Sequence, residues 1–372
     1  MKKMVLILIM LCSQVWLPAE NSPYQPEKYQ GEAQIEYVIE HYFQQKYKSI
    51  KKLEASDFSY QIADWIAETR NWAAEEIALR ELILQQAKIY DLGYIDYDFQ
   101  LEIKEIRYLQ EGQKAVVKLL ESHQVIFAAT QPLVSELANR SHLISLRLRA
   151  GIWYISYDQY DHEYAQMLKD IGQPKVEEKI AAAYAEGNQE LTAPLKPAAF
   201  EPKKNFHAYD RAAAVEYAQR YWKDYNSDFD DFENNNCTNY ISQILLTGGA
   251  PMDFEGNLHW YYENPQTAGD SYSFSWTVVQ DLYYYLVKNN WTGPVGRKVS
   301  ICEMKPGDIV QFYSPTKGWL HSVVVVKNLE KWSCGNQLNY LINSHTTDRK
   351  NYPLAYFSAQ TKRFIQVEGW YE

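Results

Sequence analysis

The residues most able to do chemistry in this sequence are one cysteine and two histidines. Cys237 follows an Asn-rich segment and opens the apolar-periodic run Thr238 to Leu246, which ends at Gly248 and Gly249. This pattern predicts a helix that begins at Cys237. Unpaired N–H groups at a helix N-terminus stabilise a thiolate and can hold an oxyanion. Cys237 is therefore a candidate nucleophile, and a buried structural cysteine is the alternative.

A nucleophilic thiol needs a base, and His321 and His345 are the candidates. The apolar residues after His321 and before His345 predict two antiparallel strands, and pairing Lys327 with Asn339 sets the two histidines opposite each other. Asn343, two residues before His345, is predicted to share its face. We expect His321 to act as the base, with His345 or alternatively Asn343 orienting its imidazole.

Other side chains are candidates for the surroundings of this site. Asn236 and Tyr209 are candidate oxyanion donors. Trp319, Trp260 and Tyr261 are candidates for the wall of a substrate cleft, because large aromatic faces bury much contact area. Most other aromatic residues of the region have the spacing of a packed core.

Cysteine and histidine also bind zinc, so a metal site at Cys237, His321 and His345 is an alternative. No C-x-x-C or H-E-x-x-H spacing supports it, and we expect neither a metal nor an organic cofactor. The sequence has four cysteines. Cys302 and Cys334 are candidates for a disulfide, with two buried thiols as the alternative, and a bridge between them would leave Cys237 free.

The N-terminus has the pattern of a bacterial signal peptide. Lys2 and Lys3 precede an apolar run from Met4 to Cys12, and Leu17-Pro18-Ala19 follows. The run is too short to cross a membrane, so we expect residues 1–19 to be removed on export. The mature protein is then secreted or held in the cell envelope.

Composition excludes several classes of protein. The chain has 372 residues, of which 46% are hydrophobic and 23% charged, and these values argue against disorder and against several membrane spans. The net charge is -10, and no strong cluster of Lys and Arg is present. A nucleic-acid partner is not expected, because binding to phosphates needs a basic surface.

The elements that position the chemistry form two predicted domains. Residues 28–169 read as two amphipathic helices followed by alternating strands, an α+β order that resembles the nuclear-transport-factor-2-like (NTF2-like) cone fold. His142 and His162 have no metal-binding or catalytic spacing there, which favours solvated positions. A Pro-containing linker is predicted over 170–205, and a second domain over 206–372. The first domain is the candidate site for a protein partner.

Seven segments of the second domain carry a resemblance to a known family. They are Tyr209 to Val215, Cys237 to Tyr240, Ser242-Gln243, Gly248 to Met252, Gly307 to Phe312, His321 to Val323 and His345 to Asp348. In this order they resemble the putative amidase domain of exported Gram-positive bacterial proteins. That family is similar in layout to the papain-like peptidoglycan hydrolases of the NlpC/P60 and CHAP groups.

The resemblance implies an α+β papain-like domain and a Cys-His-polar hydrolase of amide bonds in peptidoglycan or in peptides. It implies Cys237 as nucleophile, His321 as base and His345 as orienting residue. Asn236 departs from the family pattern, in which Asp usually precedes the cysteine. The alternative function is a non-catalytic wall-binding or interaction module with a degenerate cleft.

Overall fold

The computed structural model describes residues 24–55, 61–188, 200–202, 205–255, 258–263 and 271–372. The predicted signal peptide, residues 1–19, lies outside these ranges, as does part of the predicted linker. Helices and antiparallel strands alternate through the described residues, so the α+β prediction is confirmed. Within these ranges, no helix combines the length and the apolar character needed to cross a bilayer.

The N-terminal half packs long helices against a meander of four strands. Its elements are α1 (Gly31–Lys52), α2 (Ala67–Tyr90), β1 (Tyr94–Leu109), β2 (Lys114–Phe127), β3 (Val134–Arg149), β4 (Ile152–Gln159), α3 (Ala165–Ile171) and α4 (Gln173–Gly187). Buried residues recur along α1 at helical spacing, from Ile35 to Phe43. In β2 alternate residues are buried, as expected for a sheet with one face covered.

The C-terminal half brings short helices to one face of a strongly paired sheet. Its elements are β5 (Phe206–Ala208), α5 (Arg211–Arg220), α6 (Cys237–Thr247), β6 (Tyr262–Glu263), β7 (Ser271–Tyr272), α7 (Phe274–Thr277), α8 (Val279–Lys288), β8 (Gly293–Val299), β9 (Ile309–Ser314), β10 (Gly318–Asn328), β11 (Tyr340–Ser344), β12 (Asp348–Pro353) and β13 (Thr361–Tyr371).

One sheet runs through both halves. Among the described residues it has 11 strands, in the order β1-β2-β3-β12-β11-β10-β9-β13-β5, with β4 also on β3 and β8 also on β13. The junction is the antiparallel pairing of Arg349 in β12 with Leu137 in β3. Val176 and Ile180 of α4, inside the predicted linker, are fully buried in the core cluster that both halves share.

The two faces of this sheet bury different partners. On β10, Val323 and Val325 belong to the core cluster shared with α1 and α2, whereas Val324 and Val326 belong to the cluster that holds Ile241 of α6. Successive side chains of a strand point to opposite faces, which explains the division. We call the second side the α6 face.

A buried polar cluster lies under the N-terminal helices. The His142 side chain is 0% exposed, with Nδ1 2.8 Å from Asp158 Oδ1 and Nε2 3.1 Å from Glu121 Oε2. His162 is also buried, its side chain 3% exposed. The expectation of solvated histidines is therefore wrong, because both side chains are buried in the interior, where His142 is bound by two carboxylates. A cavity of ≈ 30 Å³ adjoins them, enough for a water molecule.

Candidate active site

The helix α6 begins at Cys237, the residue at which the sequence predicts its start. Asn236 occupies the N-cap position, but its side chain makes no hydrogen bond to the helix backbone. Its Oδ1 accepts instead from Asn239 Nδ2 at 2.8 Å and from the backbone N–H of Phe232 at 3.3 Å. The first N–H groups of α6 are thus left for another acceptor, as in anion sites at helix N-termini.

The Cys237 sulfur lies near a hydroxyl group and is buried. The backbone N–H groups of Ser322, Thr238 and Cys237 itself lower the pKa of the thiol, and Thr238 Oγ1 lies 3.8 Å from Sγ. Burial leaves Cys237 only 5% exposed and raises the pKa of its thiol above the usual value, although these donors lower it. The helix N-terminus is expected to lower this pKa, but here burial outweighs it.

His345 lies on the α6 face, where both ring nitrogens and both ring faces have contacts. Its Nδ1 is 2.9 Å from Asn236 Nδ2, and its Nε2 is 2.6 Å from the carbonyl oxygen of Tyr221. The carbonyl can only accept, so Nε2 carries the proton and Nδ1 accepts from the amide. The ring stacks between Tyr240 at 3.8 Å and Tyr225 at 4.0 Å. Burial lowers the pKa of His345 to about 3, so the imidazole is neutral at pH 7.

The predicted register of the β10–β11 hairpin is wrong. Lys327 pairs with Leu341 instead of Asn339, and a bulge then leads to the pair Val324 and Asn343. A one-residue change of register moves a side chain to the other face of a sheet. Continuing this register sets His345 opposite Ser322, so the two predicted partner histidines lie on opposite faces.

His321 accordingly points away from Cys237. Its ring stacks with Phe312 at 6.0 Å on the face shared with the N-terminal half. Burial, with the nearby positive charge of Arg349, lowers the pKa of His321 to about 4. The backbone of this segment still influences the thiol, because the N–H group of the next residue, Ser322, lowers the pKa of Cys237. The structure thus brings the strand to Cys237 but not the imidazole.

Asn343 shares the α6 face, as its spacing from His345 predicts. Its Nδ2 donates to the carbonyl oxygen of Ala218 at 3.0 Å, and its Oδ1 accepts from the N–H of Asn351 at 2.8 Å. These contacts tie the end of α5 to β11 and β12. Asn343 therefore serves the scaffold around His345 and contacts neither histidine through these bonds.

The two candidate oxyanion donors lie in different places. Tyr209 packs on Gly248, where an added Cβ would come within 1.9 Å of its ring. Gly248 ends α6, and a helix of 11 residues is roughly 16 Å long, so Tyr209 is at the wrong end of α6 to reach Cys237. Asn236 adjoins Cys237, but its side-chain amide is bound to His345.

The three candidate cleft residues lie in different surroundings. Trp260 is 0% exposed and packs against Trp276 at 4.8 Å, so it belongs to the core and cannot line an open cleft. Tyr261 is half-buried and stacks on Phe254 at 4.9 Å. Trp319 is half-buried at the start of β10, and the Arg363 guanidinium lies 4.0 Å above its ring.

Cys302 and Cys334 form a disulfide, and Cys237 is a free, buried cysteine. The bridge joins a short 3-10 helix, Ile301–Glu303, to the loop before β11. In the part of the chain that the structure describes, no group of three or more His, Cys, Asp or Glu side chains is arranged to hold a metal ion.

Four buried polar residues near the candidate site are not predicted as site residues from the sequence. Thr238, Ser322, Gln311 and Arg363 are all buried on the α6 face. The sequence feature that could have identified Gln311 and Ser322 is a polar residue inside an otherwise apolar strand. Such a position is costly unless the side chain is hydrogen-bonded, so it indicates a buried network.

Comparison with known families finds one family model that matches this region. Residues 208–367 match the family model described as a putative amidase domain. The resemblance of the C-terminal region to this family is therefore confirmed over these residues. The matched segment contains Cys237, His321 and His345.

One curated relative is the uncharacterized protein YhbB of Bacillus subtilis (strain 168). It is 33% identical over 144 residues, which cover 38% of this chain and 43% of that protein. The chain thus spans less than half the length of the relative it matches. No solved structure matches the chain.

Proposed function

We propose that this protein is an exported cysteine-dependent hydrolase of amide bonds in cell-wall peptidoglycan or its peptides, with a papain-like arrangement of the C-terminal region. The observation that carries the proposal is the free Cys237 at the N-terminus of α6, inside the matched segment, with Thr238 Oγ1 3.8 Å from its sulfur. A helix N-terminus that holds a thiol supports both the nucleophile and an oxyanion.

The reaction begins with loss of the Cys237 proton to a base. The sulfur attacks the amide carbonyl, and the N–H groups at the start of α6 hold the resulting oxyanion. The protonated base then gives its proton to the departing amine as the C–N bond breaks. Water hydrolyses the acyl-enzyme and restores the thiol.

We assign the base to His345 instead of His321. His345 lies on the α6 face, with an unprotonated Nδ1 directed at Asn236, the neighbour of Cys237. The Tyr221 carbonyl fixes its tautomer, as a third residue does in other cysteine hydrolases. For the proton to transfer, Nδ1 exchanges its contact with Asn236 for one with Cys237. His321 faces the opposite side of the sheet.

The test compares the mature protein with Cys237→Ala, His345→Ala and His321→Ala on purified peptidoglycan, following new amino groups and released muropeptides. Cys237→Ala is expected to abolish release, and His345→Ala to lower the rate by about 100-fold or more. His321→Ala should retain the rate within about threefold. Release by Cys237→Ala at the wild-type rate would refute cysteine catalysis. Loss of activity only in His321→Ala would return the base to that residue.

One observation favours the alternative of a non-catalytic wall-binding module. Cys237 is 5% exposed, and burial raises the pKa of its thiol. A binding module would sediment with peptidoglycan and release nothing from it. Cys237→Ala would then bind as tightly as the wild type.

A further inference from the structure

A line of polar side chains crosses the α6 face and ends at the candidate nucleophile. We call Arg363, Gln311, Ser322 and Thr238 the polar relay; their exposed fractions are 4%, 0%, 0% and 0%. Buried polar groups are costly unless they are hydrogen-bonded, and these four are bonded to one another. The direction of hydrogen-bond donation along the polar relay is therefore defined, and it follows from the donors at the Arg363 end.

Arg363 fixes the orientation of Gln311. Its Nε donates to Gln311 Oε1 at 2.7 Å, and a guanidinium can only donate, so the oxygen of the amide must face it. The Gln311 Nε2 group then donates both its protons, one to the carbonyl oxygen of Val279 at 2.9 Å and one to Ser322 Oγ at 3.0 Å.

The two hydroxyl groups complete the line. Ser322 Oγ accepts from Gln311 and lies 3.4 Å from Thr238 Oγ1, which lies 3.8 Å from Cys237 Sγ. If Ser322 donates to Thr238, then Thr238 can donate to the sulfur, and every proton in these contacts has an acceptor. The reverse order would leave the Ser322 proton without an acceptor among these contacts.

The start of the relay is a buried positive charge. The Arg363 guanidinium lies between the rings of Tyr283, at 3.7 Å, and Trp319, at 4.0 Å. Its other hydrogen bonds go to neutral oxygens, Gln280 Oε1 at 3.0 Å and the Val279 carbonyl at 3.4 Å. These partners carry no negative charge, so they do not neutralise the Arg363 guanidinium. The hydrogen-bond dipoles of the polar relay are aligned with their positive ends toward the Cys237 thiol.

We propose that Arg363 is a positioning residue that acts through Gln311, Ser322 and Thr238 to aim hydrogen-bond donors at the Cys237 sulfur and so favours its thiolate. This inference rests on the proposed function, in which the Cys237 thiolate is the nucleophile. The relay would give the thiol charge-stabilising donors in addition to the backbone N–H groups, and so offset part of the effect of burial.

The first test replaces the amide of the relay by a carboxylate of the same shape. Glu at position 311 can accept from Arg363 but cannot donate to Ser322, so Gln311→Glu reverses the relay. The matched control is Gln366→Glu, because Gln366 is a buried amide whose Oε1 accepts from Arg297 Nη2 at 2.6 Å on the same sheet. The relay does not pass through Gln366.

The measurement is the pH profile of iodoacetamide alkylation in the folded mature protein, read by mass spectrometry on the peptide that carries Cys237. The accessibility of the thiol multiplies the alkylation rate by the same factor at every pH, whereas the midpoint of the pH profile gives the pKa of the thiol. Gln311→Glu is expected to move the midpoint up by about one pH unit, which slows alkylation at pH 7 about tenfold. Gln366→Glu should leave the midpoint unchanged. Equal midpoints in the two variants would overturn the proposal.

A second pair of variants removes the donor without adding charge. Thr238→Val has nearly the same shape as Thr but lacks the hydroxyl, and Thr238→Ser keeps it. We expect Thr238→Val to slow alkylation about threefold at pH 7 and Thr238→Ser to restore the wild-type profile. An unchanged profile in folded Thr238→Val would overturn the relay. Because alkylation needs no substrate, inactivity on peptidoglycan would refute the proposed function and leave this result standing.

Discussion

Asn236 Nδ2 donates a hydrogen bond of 2.9 Å to His345 Nδ1, which links the residue before the candidate nucleophile, Cys237, to a histidine 109 positions later in the chain. The contact fixes one imidazole nitrogen, and the Tyr221 carbonyl fixes the other. The neutral form of His345 is stabilised by this pair of contacts, since one nitrogen must accept and the other must donate. The start of α6 and the end of β11 are thereby joined at the candidate site.

The charge of residue 236 should control the protonation of His345. In Asn236→Asp a carboxylate replaces the amide donor and favours a proton on Nδ1, so the pKa of His345 should rise from about 3 by at least one unit. The protonated form would then persist to a higher pH than in the wild type. Titration of the histidine ring by NMR measures this. Asn328→Asp, at the other end of β10, should leave the pKa unchanged, and an unchanged value in Asn236→Asp would contradict the assigned contact.

The junction of the two halves should depend on one buried ion pair. Arg349 of β12 pairs with Glu163, and their side chains are 2% and 10% exposed. Glu163→Gln leaves the arginine buried without its counter-charge and should lower the free energy of unfolding by about 3 kcal/mol. The control is Glu136→Gln, whose partner Lys350 is 28% exposed and which should cost less than about 1 kcal/mol. Urea unfolding compares the two; equal losses would argue against a stabilising pair at the junction.

Because Tyr209 packs against the C-terminal end of α6, a side chain at position 248 should destabilise the folded protein. An added Cβ would come within 1.9 Å of the tyrosine ring, so Gly248→Ala should lower the free energy of unfolding by about 1 to 3 kcal/mol. Gly335→Ala serves as control, because the nearest atom to its Cβ would be 3.6 Å away. Combining Gly248→Ala with Tyr209→Leu should cost less than the sum of the single changes. Full additivity would mean that the two residues do not touch.

The disulfide should stabilise the folded chain. Cys302 and Cys334 are 32 residues apart, a loop whose closure in the unfolded chain corresponds to about 3 to 4 kcal/mol. The double variant Cys302→Ser and Cys334→Ser should therefore unfold at a lower urea concentration than the wild type. Reduction of the wild type should shift its midpoint to that of the variant. A variant that unfolds at the wild-type midpoint would show that the bridge adds no stability.

Local patterns in the sequence predict the helix that begins at Cys237, the apolar strand after His321 and the shared face of Asn343 and His345. They do so because a helix start and a strand face depend on residues close together in the chain. The family resemblance of the C-terminal region could also be recognised from short segments, since each segment keeps its order along the chain.

The tertiary structure alone decided which histidine lies on the α6 face. A bulge between Val325 and Lys327 changes the hairpin register by one residue, and that single step places Ser322 instead of His321 opposite His345 on the α6 face. Periodicity cannot locate such a bulge, because it depends on contacts along the whole sheet. The pairing of Leu137 with Arg349 is likewise a contact across more than half of the chain, and only the folded sheet brings those residues together.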